Sequence, residues 1–172
     1  MEDFISRIFI DAEKEFGVKF VKDILSLIYC SKNGLLESDI KEILSVSPLC
    51  LKQFLTPLRH SIKENAGRLS LESITVRNII YGRYITDKEE INIYYRLLLG
   101  YFKKHQSQES KGIIPWLLYK LEFHKELFED ISLIDNAVYI INNESSYFVK
   151  YWKYLINNNY SITCYLRSPE CV

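Results

Sequence analysis

Neither sign of charge dominates this chain. Its 22 Lys and Arg balance 22 Asp and Glu, for a net charge of zero. The halves balance too: residues 1–85 hold 12 basic and 11 acidic side chains, residues 86–172 hold 10 and 11. A protein that lives on phosphate backbones usually carries a basic excess, so the balance argues against a general nucleic-acid binder. A phosphate-gripping loop is also missing. No G-x-x-x-x-G-K-[ST] occurs, and with it goes the row of backbone N–H groups that would cradle a triphosphate. The four cysteines, Cys30, Cys50, Cys164 and Cys171, form no C-x-x-C pair. His60, His105 and His124 fall at no zinc-like spacing with them, so no metal site is expected. Cys30 and Cys50 lie in apolar helical runs and are expected as buried thiols. No apolar run reaches about 18 residues, so no membrane span is expected. The opening MEDFISRIFI carries two acids and no cleavage site, so no secretory leader is expected either. A reducing, cytoplasmic setting fits this pattern.

What the chain does have is apolar and aromatic bulk. Hydrophobic residues make up 48% and aromatic residues 14% of 172 positions, enough for one sizeable core or two small ones. Apolar residues recur at helical spacing over 3–15 and 18–31, with Gly17 between them. Lys32-Asn33-Gly34 reads as a helix stop suited to a left-handed turn. A short helix follows over 37–44. Ser47-Pro48 opens a third, a capping side chain ahead of Pro at the first helical position. That helix is expected to run to about Ser61, kinked at Pro57. Asn65-Ala66-Gly67 is a turn, and Leu69 and Leu71 alternate with polar residues as a short half-buried strand. Its partner strand is expected near 33–36. Helix returns over 74–85, and Thr86-x-x-Glu89 is read as a capping box opening 87–105. The polar run 106–112 is the expected internal boundary. Helices are then expected over 113–122, 125–133, 134–142 and 145–157, with a frayed tail beyond. The fold class is therefore mainly α: a winged helix, three helices plus a small β wing, followed by an α-helical extension.

The run LSLIYCSKNGLLESDIKEILSVS resembles the segment after the nucleotide-binding domain of NACHT-type signalling ATPases of the STAND class. In particular, it is similar to the nephrocystin-like and telomerase-associated group. The matching residues are Ser31, Lys32, Gly34, Leu35, Glu37, Asp39, Ile40, Leu44, Gly67, Leu69, Leu71 and Arg77. Pro115 and Trp116 are the sharpest markers of the following helical stretch. SYFVKYWKYLI at 146–156 is similar to the helix that precedes tetratricopeptide repeats in that group. The resemblance covers residues 15–157 and implies four segments. These are an N-terminal helix 1–14 from the end of an NTPase core, a winged helix 15–85, a helical extension 86–157 and an irregular tail 158–172. The chain lacks the NTPase domain itself and the repeats. Ser73 stands where the family carries a nucleotide-sensing histidine, and serine holds no charge at neutral pH. The resemblance thus implies no cofactor and no nucleotide sensing. It implies a regulatory or scaffolding role through protein partners, such as an NTPase domain or helical repeats, with a cilium-associated location by family likeness alone.

No catalytic residues are expected. Glu89-Glu90 and Glu129-Asp130 are neighbours in sequence and do not face each other on a helix, so they read as solvated faces. His105 and His124 each adjoin a lysine and read as surface. Tyr147, Tyr151 and Trp152 on the last helix are candidates for a protein-binding or self-association surface, exposed if repeats do not cover them. The alternative reading is a winged-helix nucleic-acid binder using Lys52, Arg59, Lys63 and Arg68, a modest basic set diluted by Glu64 and Glu72.

Overall fold

The computed structural model describes residues 2–71 and 73–160. The tail beyond residue 160, with Cys164 and Cys171, lies outside them, as does Glu72. Among the described residues there are nine helices and three short strands, so the protein is mainly α. It divides into two compact units, Met1–Leu98 and Leu99–Val172.

The first unit is built round α2 (Val18–Cys30). This helix is apolar on nearly every side: Val21, Ile24, Leu25, Leu27, Ile28 and Cys30 are all buried. A helix that is hydrophobic all round must be covered all round. The cover comes from α1 (Glu2–Phe16), α3 (Glu37–Leu44), α5 (Ile74–Tyr84) and one strand. α1 contributes Ile5, Phe9 and Ala12, one turn apart and all buried. It is clamped to α5 by Arg83, whose Nε and Nη2 donate to Glu13 at 2.7 and 2.5 Å, while the Tyr84 hydroxyl donates to the same carboxylate at 2.6 Å.

α4 (Pro48–Leu55) starts as its sequence dictates, with the Ser47 hydroxyl accepting from Cys50 N at 3.2 Å. It is shorter than expected. Regular helix stops at Leu55, and residues 56–61 continue as turns. Pro57 ends the helix rather than kinking it, because its ring has no N–H and crowds the preceding turn. Cys50 is exposed, not buried: Leu51, Phe54 and Leu55 take the inward face and leave Cys50 outside.

The strands are β1 (Leu35–Leu36), β2 (Lys63–Asn65) and β3 (Arg68–Ser70), in sheet order β1-β3-β2, all antiparallel. β1 supplies the partner expected near 33–36, pairing Leu35 with Leu69 and Leu36 with Arg68. β2 went unread, because its Lys-Glu-Asn sequence has no strand character and its residues are exposed. It is set by the turn. Ala66 (φ 50°) and Gly67 (φ 77°) are both left-handed, as a two-residue type I′ hairpin requires, and they fold Asn65 back onto Arg68.

α6 (Lys88–Lys104) opens one residue later than the sequence reading. Asp87 is the cap, its Oδ1 accepting from Glu90 N at 2.8 Å, and Glu90 rather than Glu89 reaches back to Thr86 N at 2.8 Å. The division between the units falls within this helix, while the polar run 106–112 lies inside the second unit.

The second unit packs α7 (Ser110–Lys120), α8 (His124–Ser132) and α9 (Ile134–Asn157) against one another. Just before α7, Ser107 and Ser110 bond reciprocally: Ser107 N donates to Ser110 Oγ at 3.1 Å, and Ser110 N to Ser107 Oγ at 3.3 Å. Leu117, Leu118, Leu127, Ile131, Ile140, Tyr151 and Leu155 form its core. α9 is continuous except at Glu144, whose φ of −147° and ψ of 45° leave the helical region. That break separates the two helices expected over 134–142 and 145–157.

Candidate interaction surfaces

The first surface is a groove of about 380 Å³ between α4 and the hairpin. Leu55, Ile62 and Leu69 form its floor; Lys52, Arg59, Lys63, Glu37 and Glu64 stand round it. Three of the four basic residues singled out from the sequence therefore converge. Because α4 stops at Leu55, only Lys52 projects from the helix. Arg59 sits in the turns that follow Pro57, and Lys63 sits on β2. Arg68 points elsewhere: one residue along the strand from Leu69, it aims Nη1 at Gly34 O, 3.4 Å away. Glu37 is a member the sequence reading missed, since it opens α3, far along the chain from the others. The result is a rim of mixed sign over an apolar floor.

Ser73 and Arg77, both marked by the resemblance, serve the fold locally. Ser73 caps α5, its Oγ accepting from Val76 N at 3.4 Å. Arg77 reaches the end of α2, donating to Tyr29 O at 3.3 Å and lying 4.4 Å over the Tyr29 ring. A cation at the C-terminal end of a helix is favoured by the helix dipole and by the exposed carbonyls there.

Two carboxylates in this unit are held below the usual carboxylate range. The Lys22 ammonium, with Thr86 behind it, keeps Glu90 at about 2. The Arg83 fork lowers Glu13 against the opposing effect of burial. Burial, reinforced by the bond to Glu13, pushes the Tyr84 hydroxyl well above its usual range.

The second surface is α9. The sequence reading places Tyr147, Tyr151 and Trp152 on it, and the structure separates them. Tyr151 is fully enclosed, packed against Tyr119 and Tyr147 at ring distances of 5.6 and 5.8 Å. It belongs to the core, and its hydroxyl finds no hydrogen-bond partner among the described residues. Tyr147 and Trp152 are half-buried, Trp152 edge-on to Phe128 at 5.9 Å. What α9 exposes is aliphatic: Ile134 is 79% exposed, and Val138, Ile141, Val149 and Ile156 are each about half exposed. The signal was present as a 4-3 spacing of β-branched residues, but apolar spacing of that kind reads as core until the neighbours are known.

Asp130 differs from its sequence reading as a solvated acid. Its Oδ1 accepts from Asn136 Nδ2 at 3.2 Å, while Oδ2 is enclosed without a partner among the described residues. Burial raises it to about 6, against the opposing pull of Lys103 and Asn136. It lines a pocket of about 410 Å³ with Ser107, Ser110 and Lys111. Among the described residues, no group of three or more His, Cys, Asp or Glu is placed to hold a metal ion, and no helix is long and apolar enough to cross a membrane. No protein family matches the chain, and neither any curated protein nor any solved structure does.

Proposed function

We propose that the chain is a non-catalytic regulatory or scaffolding module acting through protein contacts, of the kind that joins the NTPase core of a NACHT-type STAND protein to its repeats. Its first unit is read as a winged helix. The order helix, short strand, two helices, hairpin, helix supports that reading, as does the closure of β1 onto the hairpin strand β3. The expected partners are protein: an NTPase domain in the same or another chain, or helical repeats.

One observation carries the choice of protein over nucleic acid. Lys52, Arg59 and Lys63 share their groove with Glu37 and Glu64 over a leucine and isoleucine floor. A phosphate backbone would meet the two carboxylates as it met the three cations, whereas a peptide or helix of mixed charge has a counterpart for each. The test is fluorescence anisotropy of random duplex DNA titrated with the whole protein between roughly 50 and 200 mM salt. Weak binding, unchanged by a Lys52→Ala/Lys63→Ala double substitution, is expected. Tight binding that collapses with salt and with that double substitution would overturn the reading in favour of a nucleic-acid binder.

A further inference from the structure

The sheet of the first unit ends on an open edge beside the groove. In the order β1-β3-β2, no described residue pairs with the outer side of β2. The register shows which groups face that side. Asn65 and Arg68 flank the two-residue turn, so they exchange both backbone bonds. Pairs then alternate along the ladder, and Glu64 opposite Leu69 exchanges none. The Glu64 N–H and C=O therefore point away from β3. Glu64 is exposed, and no hydrogen bond from another described residue reaches either group. Such edges are usually blunted by a proline, a bulge or a covering element. β2 contains no proline and pairs with β3 in unbroken register.

Directly opposed residues in a sheet put their side chains on one face, so Glu64 shares its face with Leu69, part of the groove floor. A strand laid beside β2 puts the side chain opposite Glu64 on that face too. We propose that the groove takes an extended acidic peptide, which adds to β2 as a further antiparallel strand. Glu64 N–H donates to the C=O of one peptide residue, and Glu64 C=O accepts from the N–H of the same residue. Two backbone bonds contribute little by themselves, so side chains supply the rest. Leu55, Ile62 and Leu69 offer a floor for an aliphatic side chain, and Lys52 and Arg59 stand ready for an acid. The residue facing Glu64 is not an acid, because like charges directly opposite repel. Three cations and two acids round the groove favour a peptide of net negative charge over a basic one. The occupant is thus a segment of another protein with aliphatic and acidic residues two apart, the spacing of one strand face. This inference rests on the reading of the groove as a protein-contact surface and names a strand, not a helix, as what it holds.

The test is selection of a phage-displayed library of short random peptides on the whole protein, followed by anisotropy titration of the consensus peptide. A consensus with aliphatic and acidic residues two apart is expected. Glu64→Pro removes the outward N–H and none that β3 uses, a change that edge strands tolerate. It should weaken binding at least tenfold while leaving the circular dichroism intact, whereas Glu64→Gln, which keeps the N–H, should bind within a few-fold of wild type. N-methylation of the peptide one residue at a time should find a single N–H whose loss weakens binding at least tenfold. That scan leaves the protein untouched, so it decides the matter alone if Glu64→Pro disturbs the hairpin. A consensus at helical spacing, full binding by a folded Glu64→Pro chain, a scan without a sensitive N–H, or no enriched peptide overturns the proposal. A helically spaced consensus that Lys52→Ala abolishes would leave the protein-contact reading of the groove standing, since that reading falls only on salt-sensitive DNA binding.

Discussion

Gly34 has a φ of 78°, and a Cβ built there would lie 2.8 Å from the backbone oxygen of Leu69. Both facts have one cause. β1 is two residues long, and the chain must turn sharply out of α2 to lay it against β3. Gly34→Ala should therefore destabilise the first unit by about 2 kcal/mol or more, combining left-handed strain with a contact that only backbone movement relieves. A shift of the urea midpoint equivalent to less than about 0.5 kcal/mol would mean that β3 yields at little cost. Tyr151 raises the opposite expectation. Its ring fills the core of the second unit while its hydroxyl stays enclosed and unpartnered among the described residues. Tyr151→Phe keeps the ring and removes a buried polar atom, so it should be neutral or stabilising by about 1 kcal/mol. Tyr151→Ser opens a cavity and should lose about 3 kcal/mol or more. Loss of binding in a Tyr151→Ser chain would thus report on folding; Val149 and Ile141 are the positions that report on the surface. A Tyr151→Phe chain clearly less stable than wild type would show that the hydroxyl has a partner in solution.

At the scale of elements, the hairpin between β2 and β3 is held by its turn more than by its strands. β2 buries none of its three side chains. Its position depends on Ala66 and Gly67, and Ala66 is an alanine in a left-handed conformation, which costs about 1 kcal/mol. Ala66→Asn installs the Asn-Gly pair that type I′ turns favour and should raise the thermal midpoint by the equivalent of about 0.5–1 kcal/mol. No gain would mean that the turn changes type in solution. The same elements show what the sequence could carry. Helices were legible wherever apolar spacing and a capping side chain agreed, as at Ser47-Pro48. The strand at Leu69 was legible because it alternates. β2 was not, because an exposed Lys-Glu-Asn segment contains nothing that says strand, and only the two left-handed residues after it impose one. The end of α4 was misplaced because apolar spacing continues through Leu58 and Ile62, both buried, although the backbone has left the helix at Leu55. Burial periodicity survives a change of backbone; the missing N–H of Pro57 does not permit helix. In the candidate groove, Lys52, Arg59 and Lys63 were readable as a basic set near the third helix. Glu37 was not, since only the folded chain brings the start of α3 to that rim.

For the molecule as a whole, the titrating carboxylates oppose one another, and the order in which they act sets the pH profile of stability. Asp130 is raised to about 6 by burial, above the roughly 3.9 of an unfolded aspartate. The folded state therefore binds its proton more tightly than the unfolded state does. Its ionised form weakens the fold fully above about pH 6, and that penalty is relieved as pH falls from 6 towards 4. Glu90 is the reverse case. Lys22 and Thr86 hold it at about 2, below an unfolded glutamate, so its contribution is complete above about pH 4.5 and is lost as pH falls towards 2. Glu13, lowered by Arg83, acts in the same direction as Glu90. Stability should consequently rise on acidification from pH 7, pass through a maximum between about 4 and 5, and fall steeply below it. Two variants separate the limbs. Asp130→Asn retains an acceptor for Asn136 and removes the buried charge. It should flatten the limb between pH 4 and 6 and make the second unit more stable at pH 7, by about 1–2 kcal/mol. Glu90→Gln should leave that limb alone and flatten the fall below pH 4.5, at the cost of some stability at neutral pH. Thermal midpoints followed by circular dichroism from pH 3 to 8 for the three chains decide it. A wild-type profile that is flat between pH 4 and 6 would mean that Asp130 is ionised at ordinary cost, and that solvent or a cation reaches the enclosed Oδ2.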